Sequence, residues 1–365
     1  MLDKKIIIFM PSIEGGGVER NLFEISNFLS KKINKVSIIT VSRQYKKNFS
    51  KKICFIGPKS TNFFYLSRLI KYIICSFYLL IELLLKNKNK LIIFSFQANV
   101  FAIIIGKLFG YKVIVRANSA PSGWINNIIK KEFFKKIYQF ADLVIVNSVQ
   151  FRKEFKSFFN INAICIYNPL NKKKIIKLSN KKTNFFTQKK TLKILNIGRL
   201  VDQKNQIILL KALDLIKKKI NFTLLIMGNG IFRNKLQKFI INKKLIKSVK
   251  IIKYQKNPYN ILKSCDVLIH TAKYEGLPNV LVEAQLLKKN IISSDCPTGP
   301  KEILINGKAG ILFKNNNYKD LSKKIIYLKK NKNKLKKKIH YGYKQLYRFD
   351  YNYCLNQYYL NINKI

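Results

Sequence analysis

The chain has 365 residues, more than one ordinary domain needs and about right for two. It is 48% hydrophobic and 24% charged, which excludes a disordered polycation, and it lacks the Gly or Pro repeat of a fibrous protein. Lys and Arg number 71 against 17 Asp and Glu, a formal net charge of +54. Only eight of those cations are Arg, the residue that nucleic-acid recognition favours, and no zinc-finger or RNP-like motif accompanies them. A specific nucleic-acid partner is therefore not expected. The plain reading of the charge is a Lys–Asn–Ile bias spread over solvated faces, although such a field still attracts phosphates and acidic lipids weakly.

Residues 4–10 predict a strand, 17–30 a helix and 36–41 a second strand. The apolar run before Pro11 is too short for a signal-peptide core and suits a buried strand. Residues 69–85 are nearly all apolar, at the lower limit for a membrane span. Lys71 and Glu82, eleven positions apart, fall on one helix face with Tyr78 beside them. That predicts an amphipathic helix with a wide apolar arc packed on a sheet, membrane-surface contact being the lesser reading. Strand 91–96, helix 100–109, strand 112–116, helix 130–140 and strand 143–147 follow.

Asn168-Pro169 interrupts this pattern, and 171–190, rich in Lys, Asn, Ser and Thr, reads as a linker. Alternation restarts with strand 193–197, helix 205–217, strand 222–227 and helix 233–242. Strands 249–252 and 267–270, helix 280–287 and strand 291–294 complete it. After Asp320 the chain is helical and very basic. The expected architecture is α/β, two Rossmann-like doubly wound domains at 1–170 and 191–345 facing a central cleft. A helix at 346–365 is expected to return to the first domain. The six cysteines lack C-x-x-C spacing and there are two histidines, so neither a disulfide frame nor a metal site is expected.

Five of the 17 acids, Asp266, Glu275, Glu283, Asp295 and Glu302, fall within 37 residues. At their centre Tyr274-Glu275-Gly276-Leu277-Pro278-Asn279-Val280 follows a strand and opens a helix, with Glu283 one to two turns in. Free amides at a helix N-terminus suit a phosphate, and an ionised carboxylate accepts two hydrogen bonds from a diol. The plainer reading is that Glu275 complements the helix dipole and Glu283 is a surface residue. In Gly198-Arg199-Leu200-Val201-Asp202-Gln203-Lys204, a fork and a point charge leave a strand end where they can clamp two phosphates. Gly15-Gly16-Gly17-Val18-Glu19 follows strand one. No acid ends strand two at Thr40-Val41-Ser42-Arg43, which disfavours a nicotinamide site.

The E-x7-E with its Gly-Leu-Pro-Asn insert resembles the retaining GT-B glycosyltransferases of the family-4 type, and the resemblance covers nearly the whole chain. It implies that Arg199 and Lys204 neutralise the donor diphosphate, that Glu275 holds donor-sugar hydroxyls and that Glu283 holds the ribose. Gly276, Leu277, Pro278, Asn279 and Val280 then belong to the donor site, with Gly198 and the family-like turn Gly228-Asn229-Gly230. An ordinary strand-to-helix turn explains that turn equally well. By the same resemblance Tyr254, Gln255 and Pro258 lie beside the nucleotide base, and Gly16 and Gly17 near the transferred sugar. Gly15, Glu19, Arg116 and Asn118 lie on the acceptor side. Relatives often carry a His near Asn118, and His270 stands where they have an apolar residue, so His270 reads as structural.

No D-x-D occurs, as expected of a metal-independent enzyme without a cofactor, for which the nucleotide-sugar is a co-substrate. The segment 294–302 is similar to enzymes that build bacterial surface polysaccharides and glycan-lipids. That implies a UDP-hexose or UDP-N-acetylhexosamine donor and a glycan or lipid-linked acceptor. It also implies a cytoplasmic chain held peripherally on the anionic inner face of the cell membrane. The rival readings are a non-enzymatic basic protein binding nucleic acid or membranes, and a GT-B sugar epimerase.

Overall fold

A computed structural model describes residues 2–85, 90–188 and 190–365. Its contacts divide the chain into two compact units, Met1–Pro169 with Tyr351–Ile365, and Leu170–Asp350.

The first unit runs β1 (Leu2–Phe9), α1 (Gly17–Leu29), β2 (Ile33–Ile39), β3 (Ile53–Ile56), α2 (Arg68–Leu84), β4 (Leu91–Ser95) and α3 (Asn99–Leu108). It continues with β5 (Lys112–Arg116), α4 (Ile128–Gln139), β6 (Leu143–Val146), α5 (Val149–Phe159) and β7 (Ile164–Cys165). All seven strands pair in parallel, in the order β3-β2-β1-β4-β5-β6-β7. Every residue of β4 is buried, because a parallel strand is covered on both faces. Alternate side chains of the strands feed two cores. Ile7, Phe9 and Val113 meet Leu79 of α2, Ala102 of α3 and Phe155 of α5 on one face. Ile6, Ile8 and Phe94 meet Leu22 and Ile25 of α1 on the other.

Helix α2 is oriented differently from the simplest expectation. Lys71 is buried, its Nζ 3.4 Å from Ser12 Oγ, on the side that also carries Cys75, Leu79 and Leu83 into the core. Burial lowers the Lys71 pKa, with the Glu14 carboxylate opposing that shift. Leu69, Ile70, Ile73, Phe77, Ile81 and Leu84 are the exposed apolar positions of the helix. Among the described residues no helix is long and apolar enough to cross a membrane.

The second unit begins at Leu170 and takes in the whole stretch expected as a linker. Asn171 caps α6 (Lys172–Ser179) by accepting from the Lys174 amide at 3.1 Å, and Ile175 is buried. The stretch read as a linker thus holds a helix, because the Lys-rich composition masked its one buried stripe. Position 189 lies outside the described residues. Next come β8 (Leu192–Ile197), α7 (Gln206–Ile216), β9 (Phe222–Met227), α8 (Arg233–Asn242), β10 (Val249–Ile252) and α9 (Tyr259–Ser264). Then follow β11 (Val267–His270), α10 (Asn279–Leu286), β12 (Asn290–Ser294), α11 (Pro300–Ile303), β13 (Ile311–Phe313), α12 (Tyr318–Lys330) and α13 (Lys332–Lys344).

Its six strands are again parallel, ordered β10-β9-β8-β11-β12-β13. Counted from its own first strand, the second unit carries the 3-2-1-4-5-6 order of a doubly wound fold, and the first adds a seventh strand beside the sixth. The last helix, α14 (Tyr351–Asn363), packs against α1 in the first unit, burying Leu355 and Tyr358. The helical tail thus changes units at Tyr351 rather than at 346.

Candidate active site

In a doubly wound sheet the strand order reverses between the first and fourth strands, and ligands bind beyond the carboxyl ends of those strands. In the second unit these are β8 and β11, which are neighbours. The loop after β8 carries Arg199 and Lys204; the loop after β11 carries Glu275.

Lys204 Nζ donates to Glu275 Oε1, an ion pair between two largely buried side chains. His270, at the end of β11 and also buried, places its Nε2 3.1 Å from the same oxygen but outside hydrogen-bond alignment. Burial by itself would raise the Glu275 pKa. The Lys204 ammonium and the His270 ring outweigh it and bring the carboxyl down to about 2. Glu275 is therefore a carboxylate at any working pH, an acceptor of hydrogen bonds and not an acid.

The two loops are tied together at several points. Thr271 Oγ1 donates to Lys204 O at 2.8 Å, Lys273 N to Gln203 O at 2.8 Å, and Gln203 Nε2 to Tyr274 O at 2.9 Å. Lys273 Nζ lies 2.7 Å from both oxygens of Asp202. Asn205 stands at a φ of +50° just before α7 and reaches Asn316 Oδ1 at 2.7 Å. Lys204 is thereby positioned by backbone on both sides. Arg199, five residues earlier, is exposed and forms no ion pair among the described residues.

The loop after β11 is held from the far side too. Thr298 Oγ1 donates to Glu275 O at 2.6 Å, and the Glu275 amide donates to Pro297 O at 3.1 Å. Gly299 sits at a φ of +82°, where a Cβ would come within 2.3 Å of Gly276 O. Gly276, Leu277 and Pro278 are buried, and Asn279 and Val280 are half-buried at the start of α10. Glu283 is buried in the middle of that helix, which removes the reading of it as a surface residue.

The turn Gly228-Asn229-Gly230 has a packing role of its own. Gly198 N donates to Met227 O at 3.0 Å and Leu200 N to Asn229 O at 2.8 Å. A Cβ on Gly228 would lie 1.9 Å from Gly198 O. Asn229 Oδ1 accepts from the Tyr254 amide at 3.3 Å, so the loops after β8, β9 and β10 form one framework. Tyr254 and Gln255 are half-buried, and Pro258 is buried at the start of α9. His270 is the side chain here that sequence reasoning set aside. Its signal was present: one of two histidines in the chain, at a strand end five residues before the first Glu of the E-x7-E.

In the first unit Gly15 turns at a φ of +84° and Gly16 caps α1, with Gly17 its first helical residue. Glu19, in the first helical turn, folds back so that its Oε1 accepts from the Glu14 amide at 3.3 Å. Arg116, expected on the acceptor side, is packed into the core instead. Arg116 is 0% exposed. Its Nε donates to Tyr358 Oη at 2.9 Å, its guanidinium also reaches Asn168 Oδ1 at 2.6 Å and Asn118 Oδ1, and it lies over the Phe96 ring. Asn118 Nδ2 donates to Phe96 O at 2.8 Å. Arg116 thereby locks α14 onto β5 and is closed off from solvent, while Asn118 is half-buried. Among the described residues no three His, Cys, Asp or Glu side chains gather as a metal site.

Known proteins resemble this chain across both units. Residues 15–174 match the family described as Glycosyltransferase Family 4, and residues 178–345 match Glycosyl transferases group 1. An uncharacterized glycosyltransferase of Methanocaldococcus jannaschii is 36% identical over 181 residues, 47% of this chain and 44% of its own. The chain thus matches less than half the length of that relative. Over 86% of this chain and 87% of the relative it is 25% identical to a Campylobacter jejuni protein. That protein is the N-acetylgalactosamine-N,N'-diacetylbacillosaminyl-diphospho-undecaprenol 4-alpha-N-acetylgalactosaminyltransferase. The crystal structure of Anabaena HepE with UDP and glucose superposes with a TM-score of 0.81 at 17% identity, covering 99% of this chain and 100% of that one. With a family match over each half, two doubly wound sheets and the charged strand-end loops of the second, the chain belongs to the group 1 glycosyltransferases of GT-B fold.

Proposed function

We propose that this chain transfers a hexose or N-acetylhexosamine from a UDP-linked donor to a glycan or lipid-linked acceptor, with retention, in the synthesis of a bacterial surface polysaccharide or glycoconjugate. The observation that carries the reading is the buried Lys204–Glu275 pair beyond the neighbouring ends of β8 and β11. An ammonium held by a carboxylate and by backbone ties needs no reorganisation when an anion arrives. A diphosphate would add to Lys204 as its second anion, and Arg199, exposed beside it, would close as a fork. Two cations would then take the charge that grows on the departing diphosphate, the role a divalent ion fills elsewhere.

Glu275, ionised throughout, would accept from hydroxyls of the transferred sugar, and Glu283 from the ribose diol. With its pKa held at about 2, Glu275 is a weak base, and the acceptor's proton needs another destination. The leaving diphosphate can receive it: the acceptor oxygen bonds to the anomeric carbon, the bond from that carbon to the phosphate oxygen breaks, and the proton passes to the freed phosphate oxygen. Entry on the face the diphosphate leaves gives retention. The nucleotide is supported by the UDP in the HepE complex, and a lipid-carried acceptor by the diphospho-undecaprenol in the Campylobacter relative's name. Such an acceptor would hold the chain at a membrane surface.

The test is product analysis with labelled UDP-, GDP- and ADP-sugars and an undecaprenyl-diphosphate glycan. Transfer from one UDP-sugar with an α linkage is expected. Transfer confined to GDP- or ADP-sugars would overturn the donor assignment, a β linkage the stereochemistry, and an isomerised, untransferred sugar the reaction class.

A further inference from the structure

We propose that His270 is a positioning residue for the transfer, its Nε2–H holding the Glu275 carboxylate in place once the donor diphosphate draws on Lys204. The inference rests on the transferase reading and concerns the same site.

His270 is the last residue of β11, in register with Ser293 of β12, and is 3% exposed. Strand β11 lies between β8 and β12 inside the sheet, so the ring has little room to move. Its Nε2 stands 3.1 Å from Glu275 Oε1 and forms no hydrogen bond. A buried polar nitrogen without a partner is costly, and an apolar side chain of similar size would fill the place without that cost. The oxygen it faces supplies a reason for keeping it. A small turn of the Glu275 carboxylate would bring Oε1 into line with Nε2–H.

The backbone of Glu275 is tied at both ends, its carbonyl accepting from Thr298 Oγ1 and its amide donating to Pro297 O. The carboxylate is held differently. Among the described residues, Lys204 and His270 are the basic side chains that reach it, and both meet Oε1. Oε2 takes no protein donor among the described residues, which leaves it for a sugar hydroxyl. Against burial, which favours the neutral acid, the Lys204 ammonium and the His270 ring already keep Glu275 ionised.

A bound diphosphate changes that balance. The Lys204 ammonium then serves two anions, and its three hydrogens are divided between them. Glu275 is left buried with less support at the moment when its geometry orients the sugar. His270, fixed at a strand end, supplies the hydrogen bond that Lys204 gives up.

The test is a double-mutant cycle of His270→Leu and Glu275→Gln, read as kcat and KM for the UDP-sugar that the wild type transfers, with His270→Gln beside it. Glutamine offers an amide donor near the place of Nε2; leucine offers none. His270→Leu is expected to lower kcat about tenfold or more and to move KM less than about threefold, and His270→Gln to recover most of the loss. In the Glu275→Gln background the leucine substitution is expected to cost less than about threefold, because the carboxylate it served is gone. Unchanged kcat in His270→Leu would overturn the proposal, as would equal losses in the leucine and glutamine variants. So would an equal loss with and without the Glu275 carboxylate, since His270 would then serve the fold alone.

Nitrogen NMR of protein labelled at histidine gives a readout that needs no substitution. His340, the other histidine, is exposed and serves as the reference ring. With UDP bound, His270 Nε2 is expected to carry a proton protected from exchange. An Nε2 without a proton has nothing to donate and would contradict the proposal. A wild type that transfers no sugar removes the transferase reading and this role with it, whereas normal turnover in His270→Leu removes the role alone.

Discussion

The two units share a strand order, yet they use a cation at a strand end in opposite ways. In the second, Lys204 leaves β8 and meets a carboxylate, with Arg199 exposed beside it. In the first, Arg116 ends β5 wholly buried, against a phenol, two amides and a phenyl ring. The difference teaches that a strand-end arginine is not a substrate ligand by position alone. What surrounds it decides: neutral acceptors closed around a buried guanidinium make a lock, and a buried charged pair beside an exposed arginine makes a grip.

That contrast is sharpened most by removing Arg116. Arg116→Ala would leave Tyr358, Asn118 and Asn168 without their donor and open a void between β5 and α14. The expected loss is about 3–5 kcal/mol of stability, read by denaturant unfolding. An unchanged midpoint would mean that α14 is held by its apolar contacts alone.

Next in size is Lys204→Ala. The expected outcome is a fall of about 100- to 1000-fold in turnover while the protein stays folded. A variant that keeps near-normal turnover would put the second unit's cation in the same structural class as the first's.

Glu275→Gln separates the pair from the rest of its framework through pH. The folded pKa of Glu275 is about 2, below its ordinary 4.5. Its contribution is thus fully present above about pH 4.5 and lost as pH falls towards about 2, because the unfolded chain takes the proton first. The wild type is expected to lose stability steeply across that window, and the glutamine variant to show a flatter acid limb from a lower plateau. Parallel limbs would contradict the pairing. The smallest effect is Tyr358→Phe, expected to lower stability by about 1 kcal/mol while leaving turnover unchanged.

The fold was largely readable in the sequence, because buried parallel strands are short β-branched runs and the helices between them have clear apolar periods. Phe222–Met227 and Arg233–Asn242 stand where the pattern put them. Short edge elements were not readable. β3 and β7 have four and two residues, too few for a period to show. Helix α6 was hidden by its lysines. At the site, residue types and spacing picked out Lys204 and Glu275, but their contact spans 71 positions, and only the adjacency of β8 and β11 reveals it. The inward turn of Lys71 could not be read either. A helical wheel shows which residues share a face, and only packing shows which face is buried.

The central claim is that the strand ends of the second unit grip a nucleotide diphosphate. Calorimetric titration of UDP into the wild type, Arg199→Ala and Lys204→Ala tests it most directly. The account predicts saturable binding to the wild type and at least about tenfold weaker binding to each variant, with the melting temperature unchanged in Arg199→Ala and lowered in Lys204→Ala, which leaves the Glu275 carboxylate buried without its ammonium. Equal affinity in all three proteins would contradict it.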